Sequence, residues 1–207
     1  MGTVSKTTTV GISGDNFVVL AADKRATAGP MVYHKNVKKI AKITSRSSLT
    51  ISGLVADAQI IVENARLFAR DYELSIGMPV NIRSLANYIS LLLSVYLRVS
   101  PFIVQLLLGG YDHEGPHLYY IDLYGTITRE KYMATGSGSP VAFGVLEAGY
   151  RDGLKLEEAV DLAVRAVTAA LTRDGFSGEG VDVVAIGESG VIFEKTIQLR
   201  KTLASSG

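Results

Sequence analysis

Hydrophobic and polar positions change their period several times along the chain, and these changes divide it into groups of strands and groups of helices. Two short apolar runs at 8–13 and 17–23 are separated by Gly14-Asp15-Asn16, a composition typical of a hairpin turn. A second pair of strands is predicted at 39–44 and 48–52, just before Gly53. The N-terminal part of the chain is therefore expected to lie in a sheet.

The period becomes helical after this second strand pair. Apolar residues recur every three or four positions from Asp57 to about Ile76, and Gly77 is expected to end that helix. The pattern then predicts a second helix at 82–99. A meander of three strands is predicted after it, at 104–111, 118–123 and 126–133. Two helices thus follow two strand pairs.

The same alternation is repeated in the last third of the chain. A Gly-Ser-Gly-Ser-Pro loop at 136–140 leads into a short helix, a strong amphipathic helix is predicted at 156–171, and strands at 181–186 and 191–195 form a hairpin. The order along the chain is strands, two helices, strands, two helices and strands. This order fits helices packed outside two stacked sheets better than it fits a doubly wound parallel sheet. We therefore expect an α+β fold, a four-layer αββα sandwich.

The composition of the chain excludes several classes of function. The chain has 207 residues, 47% of them hydrophobic, which supports one large domain. A formal net charge of +1 provides no broad field for nucleic acid or an anionic membrane. The absence of cysteine excludes disulfides and thiolate chemistry, and the three histidines lack acidic partners at metal-ligand spacing, so no metal is expected.

The most informative feature for chemistry is the Thr-Thr-Thr-Val-Gly run that begins at Thr7. A threonine hydroxyl is a weak nucleophile that needs a nearby base, and the α-amine of an N-terminal threonine, with a pKa of roughly 8, is such a base. This interpretation requires a cut between Lys6 and Thr7. The alternative is that the run is simply a strand, because Thr, Val and Ile favour pleated surfaces.

Further motifs follow in order along nearly the whole chain, and together they resemble the proteasome β subunit of the archaeal type, a member of the N-terminal-nucleophile hydrolases. The matching segments are Thr7–Gly11, Ala22–Thr27, Lys38–Lys39, Gly53–Gln59, Gly136–Ser139 and Arg173–Gly178. A single short motif would be weak support, whereas six in register are specific.

The resemblance implies a threonine endopeptidase and a role for each matching residue. Thr7 would be the nucleophile, Asp23 and Lys39 its charged partners, and the backbone N–H of Gly53 the donor to the oxyanion. The group expected around the new α-amine consists of Ser137, Asp174 and Ser177. Taken singly, each of these residues also has an ordinary structural interpretation as a cap, a turn or a surface charge.

The resemblance also implies a substrate-binding surface. Thr27 and Gly53 would hold the peptide as an added strand. The pocket for the side chain before the cut would be formed by Ala26, Val37, Ala41, Ile51, Val55 and Gln59. Because this set is uncharged, we expect cleavage after hydrophobic or neutral residues, since a charged side chain would lose its hydration there without a partner.

The sequence departs from the family pattern at Lys6, where processed members carry glycine. Residues 1–6 are expected to be a leader and 7–207 the hydrolase domain, and a residue with a side chain resists the strained turn that self-cleavage needs. Two hypotheses therefore remain open. The chain is either a peptidase subunit activated by removal of 1–6, or an unprocessed and catalytically silent structural subunit of the ring.

The partners are implied by the resemblance alone. Similar subunits form homo- or hetero-heptameric β rings between α-subunit rings, and an ATP-dependent unfoldase delivers unfolded polypeptide to the enclosed sites. Neither nucleic acid nor a membrane is an expected partner, no cofactor is required, and the expected location is the cytoplasm.

Overall fold

The computed structural model describes residues 4–28 and 31–198. Its helices are α1 (Val55–Ile76), α2 (Ile82–Tyr96), α3 (Ser139–Gly149) and α4 (Leu156–Leu171). Its strands are β1 (Val4–Ser5), β2 (Thr9–Ser13), β3 (Phe17–Asp23), β4 (Ala26–Ala28), β5 (Met31–His34), β6 (Ile40–Thr44), β7 (Ser47–Leu54), β8 (Val104–Asp112), β9 (Gly115–Ile121), β10 (Ile127–Arg129), β11 (Tyr132–Thr135), β12 (Gly180–Gly187) and β13 (Gly190–Gln198).

Eleven of these strands form two large antiparallel sheets, and β4 and β5 form a separate antiparallel pair. The first has the order β1-β7-β8-β9-β10, with β6 also paired to β7, and the second has the order β11-β2-β3-β12-β13. Strand β6 pairs with the first half of β7, from Ser47 to Thr50, whereas β1 pairs with its last two residues. The short β1 therefore continues the edge of β7 where β6 has ended.

Three apolar clusters define the layers. Helices α1 and α2 cover the outer face of the first sheet around Leu85, Ile89 and Leu106, and α3 and α4 cover the outer face of the second sheet around Leu162 and Val183. The third cluster lies between the sheets and contains Val18, Leu20, Leu107 and Leu118. The prediction of a four-layer αββα sandwich is confirmed.

The predicted strand at 126–133 is wrong, because the chain changes sheets in the middle of it. Strand β10 pairs with β9 in the first sheet, and β11 pairs with β2 in the second. The change takes place at two charged residues: the N–H of Glu130 donates to Leu118 in the first sheet, and the carbonyl of Lys131 accepts from Ser13 in the second. The meander therefore ends at β10.

The ends of the helices differ only slightly from the predictions. Helix α1 begins two residues early, at Val55, and Gly77 ends it in a left-handed conformation (φ 76°), as expected for glycine at that position. The side chain of Asn81 accepts a hydrogen bond from the N–H of Ser84 and so caps α2. Across residues 4–28 and 31–198, every helix is too short or too polar to span a bilayer.

Candidate active site

Thr7 lies between β1 and β2, with its side chain fully buried. Its carbonyl oxygen accepts a hydrogen bond from the N–H of Gly138, at 3.3 Å. Gly136 has a left-handed conformation (φ 88°), and a Cβ there would lie 2.1 Å from the same carbonyl oxygen. The turn after β11 therefore wraps closely around the Thr7 backbone, and glycine is needed at 136 for two independent reasons.

The Thr7 hydroxyl lies between a carboxylate and an amine. It donates to Oδ1 of Asp23 at the end of β3, and the Nζ of Lys39, just before β6, donates to it. The Lys39 Nζ also lies 2.7 Å from Asp23 Oδ1, so the three groups form a closed triangle. All three side chains are buried, which strengthens their mutual electrostatic interactions.

Asp23 is held by donors on both of its oxygens. In addition to the hydroxyl and the amine, Oδ1 accepts the backbone N–H of Thr8 at 3.1 Å. Oδ2 accepts the backbone N–H groups of Arg25 and Gly178, each at 3.0 Å. Three backbone donors from three separate segments therefore fix the carboxylate in one orientation.

Burial lowers the pKa of Lys39 below that of an ordinary lysine, although the charge and the hydrogen bond of Asp23 raise it. Burial is the larger effect because the amine is almost completely removed from solvent. Lys39 therefore releases its proton more easily than a surface lysine does. An amine with this property beside a hydroxyl is suited to hold or accept a proton during attack by Thr7 Oγ1.

A second group of polar side chains lies beside the first. The carboxylate of Asp174 accepts hydrogen bonds from the hydroxyls of Ser137 and Ser177, both at 2.7 Å to Oδ2. The hydroxyl of Ser177 also lies 2.8 Å from that of Thr8, and the hydroxyl of Ser137 lies 3.5 Å from the carbonyl oxygen of Thr7. Ser137 therefore contacts the Thr7 backbone itself, whereas Ser177 contacts the next residue and Asp174 joins the two serines.

Gly53 marks the position where β1 meets β7. Its φ is 118°, and a Cβ there would lie 2.1 Å from the carbonyl oxygen of Ile103, so the position requires glycine. In the antiparallel register, Ser5 is opposite Gly53 and Val4 is opposite Leu54. The segment before Thr7 is therefore bound as an added strand.

The predicted pocket residues lie on three segments. Ala26 and Thr27 are buried on β4, and the N–H of Val37 donates to the carbonyl of Lys24 at 3.0 Å. Ala41 and Ile51 pack partly against the core under α1. Val55 and Gln59 are exposed on successive turns of α1.

Arg25 is a site residue that sequence reasoning missed. Its guanidinium donates to the carbonyl of Gly175 and to Glu179, both at 2.9 Å. Glu179 has a left-handed conformation (φ 69°), unusual for a residue with a side chain. Arg25 therefore clamps the 174–179 loop, which supplies both Ser177 and the Gly178 donor to Asp23. The Asp-Lys-Arg order was visible in the sequence, but the sequence did not show that Arg25 contacts the 174–179 loop.

Within residues 4–28 and 31–198, no cluster of His, Cys, Asp and Glu has the composition of a metal site. The groups that contact Thr7 are side-chain and backbone groups of the chain itself. These groups place the Thr7 hydroxyl in contact with a buried carboxylate and a buried amine, an arrangement that acyl transfer to an oxygen nucleophile can use.

Comparison with known proteins identifies the class of protein to which this fold and site belong. The family described as "Proteasome subunit" matches residues 4–186, so the chain belongs to the proteasome subunit family. It is 70% identical to proteasome subunit beta 2 of Desulfurococcus amylolyticus over 203 residues, covering 98% of each chain. It is 61% identical to proteasome subunit beta 2 of Staphylothermus marinus, covering 97% of each chain.

A more distant relative carries the same description. Identity to proteasome subunit beta 2 of Hyperthermus butylicus is 53%, covering 88% of this chain and 85% of the relative. The prediction of an archaeal-type proteasome β subunit is confirmed. The chain is a subunit of a proteasome core, in a family that assembles into rings with α subunits and generally has peptidase activity.

Proposed function

We propose that this chain is a threonine endopeptidase of the proteasome core, activated in the cytoplasm by removal of residues 1–6. The observation that carries the proposal is the buried triangle of Thr7 Oγ1, Asp23 and Lys39 Nζ. A hydroxyl that contacts a buried carboxylate and a lysine with a lowered pKa is better activated than a hydroxyl in an ordinary strand.

Activation would use the same hydroxyl. Thr7 Oγ1 attacks the carbonyl carbon of Lys6, the C–N bond to Thr7 breaks, and an ester forms while the nitrogen becomes a free amine. Water then hydrolyses the ester and releases the leader with a carboxylate at Lys6. The new α-amine would lie near Ser137 and Asp174, which surround the Thr7 backbone.

Peptide cleavage would follow the same course on a substrate carbonyl. The α-amine of Thr7 takes the hydroxyl proton and passes it to the leaving amine, and water hydrolyses the acyl ester. The backbone N–H of Gly53 would stabilise the oxyanion, a contribution typically worth about 2.7–4 kcal/mol. Protonated Lys39, held by Asp23, would favour the developing alkoxide.

The pairing of β1 with β7 supports a binding mode for substrate. Because Ser5 and Val4 pair antiparallel with Gly53 and Leu54, an unfolded polypeptide would add to the same edge before the cut. The uncharged residues around this edge favour hydrophobic or neutral side chains there. We further propose that an ATP-dependent unfoldase supplies extended polypeptide, because folded domains cannot present a free strand.

The alternative is a structural ring subunit that keeps its leader, and Lys6 is the observation in its favour. Lys6 replaces the glycine that the family pattern places before the nucleophile. Its Nζ lies 3.9 Å from the centroid of the Phe176 ring, a cation–π distance. This contact stabilises the uncut arrangement and opposes the turn that brings the hydroxyl onto the carbonyl.

Assembly with α subunits followed by N-terminal sequencing tests the two proposals. A peptidase subunit will begin at Thr7 and hydrolyse fluorogenic peptides with Leu or Tyr before the cut at least about tenfold faster than peptides with Glu or Arg. Thr7→Ala, assembled in the same way, is the control for contaminating proteases. Full-length protein without hydrolysis would support the structural subunit. Lys6→Gly then shows whether the side chain at position 6 is the cause.

A further inference from the structure

A chain of buried hydroxyls connects the two sheets directly beneath the proposed active site. Thr9 Oγ1 lies 3.0 Å from Thr50 Oγ1 and 2.7 Å from Thr135 Oγ1, and Thr135 Oγ1 lies 2.8 Å from Ser52 Oγ. We call these four residues the hydroxyl ladder. All four are almost completely buried, next to the apolar cluster that lies between the sheets.

Two of the three contacts cross from one sheet to the other. Thr9 and Thr135 are opposite each other in the second sheet, on β2 and β11, while Thr50 and Ser52 lie two residues apart on β7 of the first sheet. Thr50 is fixed in turn by the backbone N–H of Leu107, 3.2 Å from its hydroxyl. The hydroxyl ladder therefore joins β7 to β2, which begins two residues after Thr7, and to β11, which ends just before the turn around Thr7.

Three members of the hydroxyl ladder are close in sequence to groups of the proposed site. Ser52 immediately precedes Gly53, and Thr135 immediately precedes Gly136, whose turn wraps around the Thr7 carbonyl. Thr9 is two residues after Thr7 and is the first residue of β2. Since buried hydroxyls need partners and hydrogen bonds have a narrow range of length, the ladder sets the spacing between the two sheets at this end.

We propose that Ser52 and Thr135 are positioning residues that hold the Gly53 N–H at the correct distance from Thr7 Oγ1. This inference rests on the proposed peptidase function. An apolar contact between the sheets would fix their spacing less exactly, because packing is non-directional whereas a hydrogen bond is directional. Neither residue touches the substrate. They act through Gly53 and through the turn at Gly136.

The test uses assembled particles in which Thr7 is the N-terminal residue. Ser52→Ala and Thr135→Val remove one hydroxyl each, and Thr135→Ser restores it. We expect Ser52→Ala and Thr135→Val to lower kcat about tenfold or more, with KM within about twofold, because misplacement of an oxyanion donor affects the transition state more than substrate binding. Thr135→Ser should recover most of kcat.

A pair of inhibitors separates positioning from general damage. A peptide boronate forms a bond to Thr7 Oγ1 and a tetrahedral anion that uses the oxyanion donor, whereas a peptide vinyl sulfone alkylates the same oxygen through its β-carbon without forming a tetrahedral carbonyl adduct. We expect Ser52→Ala to weaken boronate binding about tenfold and to leave vinyl sulfone inactivation within about twofold.

Ser47→Ala is the matched control, because Ser47 is also a buried hydroxyl on β7 and pairs with Thr44 at 2.8 Å at the far end of the strand. It should leave kcat and boronate binding unchanged. Equal kcat in wild type, Ser52→Ala and Thr135→Val would overturn the inference, as would an equal loss of boronate and vinyl sulfone reactivity. An inactive wild-type particle beginning at Thr7 would instead overturn the proposed peptidase function.

Discussion

Replacing Asp23 by asparagine tests whether this carboxylate holds the site together as its hydrogen bonds indicate. Asparagine has nearly the same shape, so the change removes charge and acceptors without opening a cavity. The carboxylate accepts three donors on Oδ1 and two on Oδ2. An amide has one oxygen, and its NH2 group must face the donors on the other side.

The expected loss in the free energy of unfolding follows from the less costly of the two orientations of the amide. With the NH2 group on the side of Oδ2, the N–H groups of Arg25 and Gly178 lose their acceptor, and each buried unsatisfied donor costs about 1–3 kcal/mol. Lys39 also loses its buried counter-charge, and breaking a buried pair typically costs about 3–5 kcal/mol. These costs overlap, because Lys39 can release its proton. We therefore expect a loss of about 3–5 kcal/mol in the free energy of unfolding.

Urea unfolding of the full chain at pH 7, followed by circular dichroism, measures this loss. Asp161→Asn is a suitable control because Asp161 pairs with Arg165 at 2.8 Å at the surface, where the two side chains are 66% and 59% exposed. Its loss should be about 1 kcal/mol. A loss for Asp23→Asn below about 1 kcal/mol, or no larger than that of the control, would refute the assigned role of Asp23 as a buried anchor.

Three further predictions concern other parts of the molecule. Gly53→Ala should lower the free energy of unfolding by about 2–3 kcal/mol, because the new Cβ meets the Ile103 carbonyl oxygen in a strained left-handed conformation; an unchanged urea midpoint would contradict this. Burial raises the pKa of Asp112, but the N–H of Ile82 and further donors outweigh it and hold that pKa below 3.8. Asp112→Asn should therefore lower the free energy of unfolding by about 1–2 kcal/mol at pH 7. This difference from wild type should disappear as the pH falls below about 4, and unfolding curves recorded across that pH range measure it. Finally, if protonated Lys39 assists hydrolysis, kcat/KM of the mature particle should decline on the alkaline side below pH 10.5, because burial lowers the pKa of that amine; a profile without a decline before 10.5 would count against this.

The regular parts of this fold were predictable because they depend on local periodicity. The helices followed from apolar residues at helical spacing, and Gly77 marked the end of the first one. The strand predicted over 126–133 failed because its alternation continues through Glu130 and Lys131, where the chain leaves one sheet for the other. Local propensity does not record which sheet a strand joins, since that choice depends on distant partners.

The site was predictable to the extent that single residues carry its chemistry. Thr7, Asp23 and Lys39 were recognisable from motifs, and the structure brings them into contact. The clamp of Arg25 on Glu179 and the hydroxyl ladder were not, because they join segments far apart in the chain, and serine and threonine are common in strands. A buried hydroxyl acquires significance only when its partner across the sheets is known.

Strand β1 occupies the edge of β7, so the uncut chain binds its own N-terminal segment there. If the bond after Lys6 is cut, the strand departs with its lysine, and the mature subunit keeps no trace of either. Substitutions at Lys6 would then change the rate of maturation but not the turnover rate of the mature subunit. The timing of maturation and the selectivity of the finished enzyme would be encoded in separate residues, free to vary independently.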